Sequence, residues 1–102
     1  MIDLVERHRD EVEALCRRYR VKRLEVFGSA ADGTFDPATS DLDFLVEFLP
    51  QAAERTFHGY FDFRDELERL YGRKVDLVMP GAVRSPRFRD AINRQRRPVY
   101  AA

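Results

Sequence analysis

Two aspartates, Asp41 and Asp43, flank a single leucine, and eleven residues separate them from a Gly28-Ser29 pair. In an extended strand alternate side chains share a face. Asp41 and Asp43 then project together, while Leu42, Phe44, Val46 and Phe48 project the other way. Side-by-side carboxylates repel, so a purely structural strand gains nothing from them. A hard divalent cation such as Mg²⁺ removes that penalty, because it takes oxygen ligands. A third carboxylate, Asp76, stands between Val75 and Leu77. It can face the same side as the pair if the two strands are adjacent. Three carboxylates around one point suit a two-metal site, in which ions about 3.5–4 Å apart clamp the attacking and leaving oxygens of a phosphoryl or nucleotidyl displacement. Gly28 allows close backbone approach to a phosphate. Ser29 offers a hydroxyl and a backbone N–H, and a turn running into a helical segment presents further N–H donors to an anion.

The elements that must position these groups follow from apolar periodicity. Residues near 3 to 20 read as one amphipathic helix, with Leu4, Val5, Val12, Leu15, Cys16 and Tyr19 on its apolar stripe and Asp3 as N-cap. Val21 to Phe27 reads as a strand closed by Gly28-Ser29. Ala30 to Ser40 is a loop with room for one helical turn. Asp41 to Phe48 is the second strand, stopped by Pro50. Residues near 52 to 71 form a helix with Phe57, Tyr60, Phe61, Leu67, Leu70 and Tyr71 on one face and Gly72 at its end. Lys74 to Met79 is a third strand, with Val75, Leu77 and Met79 sharing a face. A last helix runs from Pro86 to about Arg97, and Val99-Tyr100 adds an edge strand. The order α-β-β-α-β-α predicts a small α/β or α+β fold: a mixed β-sheet with helices packed on it, in one domain over residues 1–102.

Several chemistries are excluded. There is no Gly-x4-Gly-Lys-Ser/Thr phosphate loop, no Gly-x-Gly-x-x-Gly, and no His/Cys cluster of the kind that holds zinc. His8 and His58 stand alone on helices and read as surface or boundary residues. Cys16 falls on the apolar stripe and reads as core. As the single cysteine it allows no internal disulfide, which fits a reducing cytoplasm. No apolar run approaches the roughly 20 residues a membrane helix needs, and the N-terminus lacks the layout of a signal peptide.

The net charge is zero but unevenly spread. Six arginines against Asp90 give residues 84–97 a net of +5, while the first 83 residues carry 12 basic and 17 acidic side chains. Such a segment can dock an acidic partner or lie as a solvated helix face. Residues 57 to 63 are dense in aromatics. Phe63 lies off the inward stripe and is expected at the surface, there to dock, with the arginine-rich segment, a partner protein or a second copy of the chain. Cover by a loop or the N-terminal helix is the alternative.

At Gly28, Ser29, Asp41, Asp43 and Asp76 the chain resembles the minimal nucleotidyltransferases of the DNA polymerase beta-like superfamily. Ser40-Asp41-Leu42-Asp43-Phe44-Leu45-Val46-Glu47-Phe48, Val75-Asp76-Leu77-Val78 and Pro98-Val99-Tyr100 extend the likeness over almost the whole length. One residue departs from it: Asp32 stands where the family often has arginine. Chains of this length and motif are similar to the antitoxin half of prokaryotic HEPN/minimal-nucleotidyltransferase toxin-antitoxin pairs. The resemblance implies the nucleotidyltransferase fold and transfer of AMP from ATP to a tyrosine of a partner HEPN ribonuclease, which silences it. It implies that Asp41 and Asp43 hold two Mg²⁺ ions, that Gly28 and Ser29 position the β- and γ-phosphates, and that Asp76 ligates the second ion and accepts the proton of the attacking hydroxyl. With 102 residues leaving little room for an acceptor domain, the acceptor surface is expected from the partner. The rival reading is a catalytically weak module that neutralises a toxin by occupying it, with Asp32 as its support. A remoter one is a transferase acting on a small molecule or a tRNA end, with the arginine-rich segment as footprint.

Overall fold

The computed structural model describes residues 3–50 and 56–102, the side chains of 56–58 excepted. Its elements run α1 (Asp3–Arg7), α2 (Arg9–Arg18), β1 (Val21–Phe27), α3 (Ser29–Asp32), β2 (Leu42–Phe48), α4 (Thr56–Tyr71), β3 (Val75–Val78), a 3₁₀ turn (Pro80–Ala82), α5 (Pro86–Gln95) and β4 (Arg97–Ala101). The strands form one sheet in the order β3-β2-β1-β4. β1 pairs antiparallel with both β2 and β4, and β2 pairs parallel with β3. The expected mixed sheet with helices on it is therefore present, and α4 supplies the crossover that a parallel pair requires.

Strand alternation divides the side chains between two unequal layers. Leu42, Phe44 and Val46 of β2 join Leu24, Val26, Val75, Leu77 and Val99 in the main core, closed by Val5, Val12, Cys16, Ala30, Phe63, Leu67 and Tyr71 from α1 to α4. The opposite face carries Asp43, Asp76 and a smaller cluster of Phe27, Leu45, Val83 and Ile92, with Val78 against it. α5 is the helix of that second face. A bulge between Val21 and Arg23 shifts the β1 register and lets Val21 join Leu24 and Val26 in the main core. Cys16 is buried as expected, and burial pushes its thiol up to about 12, far from any nucleophilic form.

Several boundaries differ from the pattern reading, although α5 begins at Pro86 as expected. The N-terminal segment is two helices, opened at His8, whose ring meets Tyr71 edge-on at 5.5 Å and whose Nδ1 lies 2.9 Å from Glu11 Oε2. β2 begins at Leu42, one residue later than expected, which leaves Asp41 just outside the strand. α5 starts on Ser85, whose Oγ accepts the Phe88 N–H at 3.3 Å, with Pro86 in the first turn. It ends at Gln95 rather than near Arg97. Pro98 disfavours helical backbone at Arg97, and the strand takes over there. The expected start of α4 near residue 52, and the side chains of Phe57 and His58, lie outside the described residues.

The facing of α4 corrects the aromatic assignment. Phe63 is fully buried, with its ring 5.7 Å from Tyr19 and 6.2 Å from Phe48. Phe61 is the exposed one, at 37%. The stripe that faces the sheet is Tyr60, Phe63, Leu67, Leu70 and Tyr71, which keeps the i, i+3, i+4, i+7 rule. Tyr60 also donates its hydroxyl to Leu77 O. Phe63 is therefore no docking residue. Among the described residues no helix is long and apolar enough to cross a membrane.

Candidate active site

The end of β1 creates the site. Phe27 pairs with Asp43 on β2, and Asp43 pairs with Asp76 on β3, so the two carboxylates stand in register on neighbouring parallel strands. The adjacency that the sequence left conditional is met. Asp41 lies at the entrance to β2 and is exposed, as is Asp76, while Asp43 is half-buried. Asp43 is pushed up to about 6. Burial is the largest cause, followed by the Asp76 and then the Asp41 carboxylate. All three aspartates thus share one electrostatic neighbourhood. Among the described residues no three His, Cys, Asp or Glu side chains close to the spacing of a complete ligand set. The donor set, carboxylate oxygens only, fits a hard divalent cation and not a soft one.

Gly28 fits the site through what it lacks. Its backbone, with φ +70° and ψ −148°, is one that glycine alone adopts readily, and a Cβ built on it would stand 2.4 Å from Asp43 Oδ2. The chain reverses there: Phe27 belongs to the second face, and Ala30, three residues on, is buried in the main core. Gly28 O accepts the N–H groups of Ala31 at 3.0 Å and Asp32 at 3.1 Å, which forms the single turn α3. Ser29 opens that turn and is half-buried. Its hydroxyl has no hydrogen-bond partner among the described residues.

Gly33 gives a milder comparison: it is left-handed, with φ +88° and ψ 4°, and has open space where a Cβ would go. Gly33→Ala is expected to cost about 1 kcal/mol from backbone strain. Gly28→Ala meets both a backbone that only glycine adopts readily and the clash with Asp43, and is expected to cost about 2–3 kcal/mol. Urea unfolding of the two variants checks this, and equal costs would show that neither the Gly28 backbone nor Asp43 resists a side chain.

Two residues at the site carry no spacing signal and were not found from the sequence. Arg73 donates Nη1 to Pro37 O at 3.2 Å and Ser40 O at 3.3 Å, and its guanidinium lies 5.0 Å from the Phe35 ring centroid. It pins the loop that delivers Asp41. Gln95, the last residue of α5, accepts the Gly28 N–H on Oε1 at 3.2 Å. Both act through contacts distant in sequence, which no local period reveals. Asp32 turns back on its own loop. It accepts the Thr34 N–H at 3.0 Å and the Thr34 hydroxyl at 2.6 Å, and these bonds hold its carboxyl below the usual range.

Comparison with known proteins covers nearly the whole chain. The family model for the nucleotidyltransferase domain matches residues 9–99. A Methanocaldococcus jannaschii protein named "Putative protein adenylyltransferase MJ0128" is 34% identical over 90 residues, covering 88% of this chain and 85% of that protein. A solved structure described as "Structure of putative minimal nucleotidyltransferase" superposes with TM-score 0.76 at 35% identity, covering 95% of this chain and 96% of the other. A toxin-antitoxin structure with AMP-PNP superposes with TM-score 0.67 at 19% identity, over 92% of this chain and 73% of that one. The complex of a tri-AMPylated Shewanella oneidensis HEPN toxin with its MNT antitoxin gives TM-score 0.62 at 16% identity, over 96% and 73%. These last two likenesses are of fold. The carboxylates of β2 and β3 beside a glycine-serine turn, the mixed sheet that carries them and a family match over nearly the whole length agree: the chain belongs to the nucleotidyltransferase domain family and has the minimal nucleotidyltransferase fold.

Proposed function

We propose that the chain is a Mg²⁺-dependent protein adenylyltransferase that moves AMP from ATP to a tyrosine hydroxyl of a HEPN-type toxin and so acts as its antitoxin. The observation that carries the reading is the in-register pairing of Asp43 with Asp76 next to the Gly28 turn. The adenylyltransferase name of the 34%-identical relative supports the reaction. The toxin-antitoxin complexes of the same fold support the class of partner.

Asp41 and Asp43, with Asp76 on a second ion, are the residues that would hold Mg²⁺. When bound, the metal supplies charge neutralisation for the triphosphate and the leaving pyrophosphate. Ser29 grips phosphate oxygens through its hydroxyl and N–H, and Gly28 lets them approach Asp43 without a side chain between. Asp76, an exposed carboxylate on the strand next to Asp43, accepts the proton of the attacking hydroxyl. The tyrosine oxygen bonds to the α-phosphorus, the bond from that phosphorus to the bridging oxygen breaks, and pyrophosphate departs. Positioning and charge neutralisation do most of the work, as in other phosphoryl-group chemistry. The acceptor must reach the second face of the sheet, beside α5, because α1 to α4 close the other.

Incubation with ATP, Mg²⁺ and a HEPN partner, followed by intact-mass measurement, tests the reading. The partner should gain one or more AMP units, and the gain should vanish with Asp76→Ala. A stable complex with no mass change under any nucleotide would replace the enzyme with a module that neutralises by occupancy.

A further inference from the structure

Both backbone groups of Gly28 are committed inside the chain. Its carbonyl accepts from Ala31 and Asp32, and its N–H is taken by Gln95 Oε1 across 67 residues of sequence. The Gly28 N–H is therefore not a vacant donor for phosphate. The neighbouring Ser29 carries the hydroxyl that has no hydrogen-bond partner among the described residues. The end of α5 that delivers Gln95 is itself anchored. Ile92 is buried in the second cluster, Ile92 O accepts the Arg96 N–H at 2.8 Å, and Arg96 Nε lies 3.6 Å from Glu25 Oε2 on β1. Glu25 is only 8% exposed. The chain at Gln95 is thus tied, through its neighbour Arg96, to the same strand whose end Gln95 clamps.

We propose that Gln95 is a positioning residue for nucleotide binding: it fixes the Gly28 N–H, so that Gly28 shapes the turn against Asp43 while Ser29 contacts the phosphates. A neutral amide suits the place. It supplies an acceptor oxygen without adding a fourth negative charge beside Asp41, Asp43 and Asp76. The catalytic consequence rests on the proposed nucleotidyl transfer; the clamp itself does not.

Two variants separate the cases. Gln95→Met keeps the length and removes the acceptor, and Gln95→Glu keeps the acceptor. In nucleotide-free protein, hydrogen exchange of the Gly28 amide is expected to speed up about tenfold in Gln95→Met and to stay near wild type in Gln95→Glu. With ATP, Mg²⁺ and an acceptor protein, Gln95→Met is expected to raise KM for ATP about tenfold and to leave kcat within about twofold. Unchanged Gly28 exchange in Gln95→Met overturns the assignment. So does a fall in kcat and melting temperature together with KM unmoved, because that marks a merely structural contact. If wild-type protein modifies no acceptor, the proposed reaction fails, while the exchange experiment still decides whether Gln95 holds the turn.

Discussion

Asp43→Asn is expected to lower nucleotidyl transfer by about 10³-fold and, in the same protein without metal or nucleotide, to raise stability. The loss follows from removing a charged oxygen where the reaction needs negative ligands. The gain follows from the environment that pushes the Asp43 carboxyl from 3.8 up to about 6. A carboxyl whose folded pKa is raised favours the fold while protonated, and that contribution is lost as pH rises from about 4 through 6. Asparagine stays neutral throughout. The two proteins should therefore be nearly equal in stability at pH 4, diverge up to pH 6 and differ by a constant amount above 7. A tenfold difference in proton affinity between folded and unfolded chains is worth about 1.4 kcal/mol. Partial exposure and screening reduce the full figure to about 1–2 kcal/mol. Urea titrations in chelator at pH 4 and pH 8 measure the difference, and equal stability at both would remove the raised Asp43 carboxyl, and the burial and repulsion behind it, from the account of this site.

Phe63→Ala should be among the most damaging single changes to stability. The ring is fully buried between Tyr19 and Phe48. Its truncation is expected to cost about 3–5 kcal/mol. A domain of this size has only about 5–15 kcal/mol in all. The melting temperature should fall by roughly 15–30 °C. Phe61→Ala, two residues earlier on the outer face, is expected to cost less than about 1 kcal/mol. Calorimetry on the pair checks the facing of α4 directly. A larger cost at Phe61 than at Phe63 would reverse it.

That helix is where pattern reading met its limit. Four aromatics within seven residues, Phe57, Tyr60, Phe61 and Phe63, fit more than one stripe, and only the position of the sheet selects among them. The acidic residues were legible for the opposite reason. In β2 the inward positions Leu42, Phe44 and Val46 are all apolar, and Asp76 has an apolar neighbour on each side, so period two puts both acids on the opposite face, which Leu45 shares. Whether β2 and β3 were neighbours was not legible, because strand order is a property of the whole chain. Gly28 and Ser29 stood out as a turn; the carboxylate pressed against Gly28 did not, since it is contributed by the next strand. Arg73 and Gln95 were invisible for the same reason. A polar residue that bonds a distant backbone group has no periodic signature.

The in-register pairing of Asp43 with Asp76 has a consequence for how this protein can fail. The separation of the two acids is a ruler cut by the spacing of hydrogen-bonded strands, about 4.8 Å, and not by the fit of side chains beneath them. Loosening the core leaves the ruler intact in every molecule that is still folded. Lesions in the helical layer should then act on dosage: fewer working copies at a given temperature, each turning over at its normal rate. Under the proposed antitoxin role, such a loss of copies weakens control of the partner before the chemistry is touched.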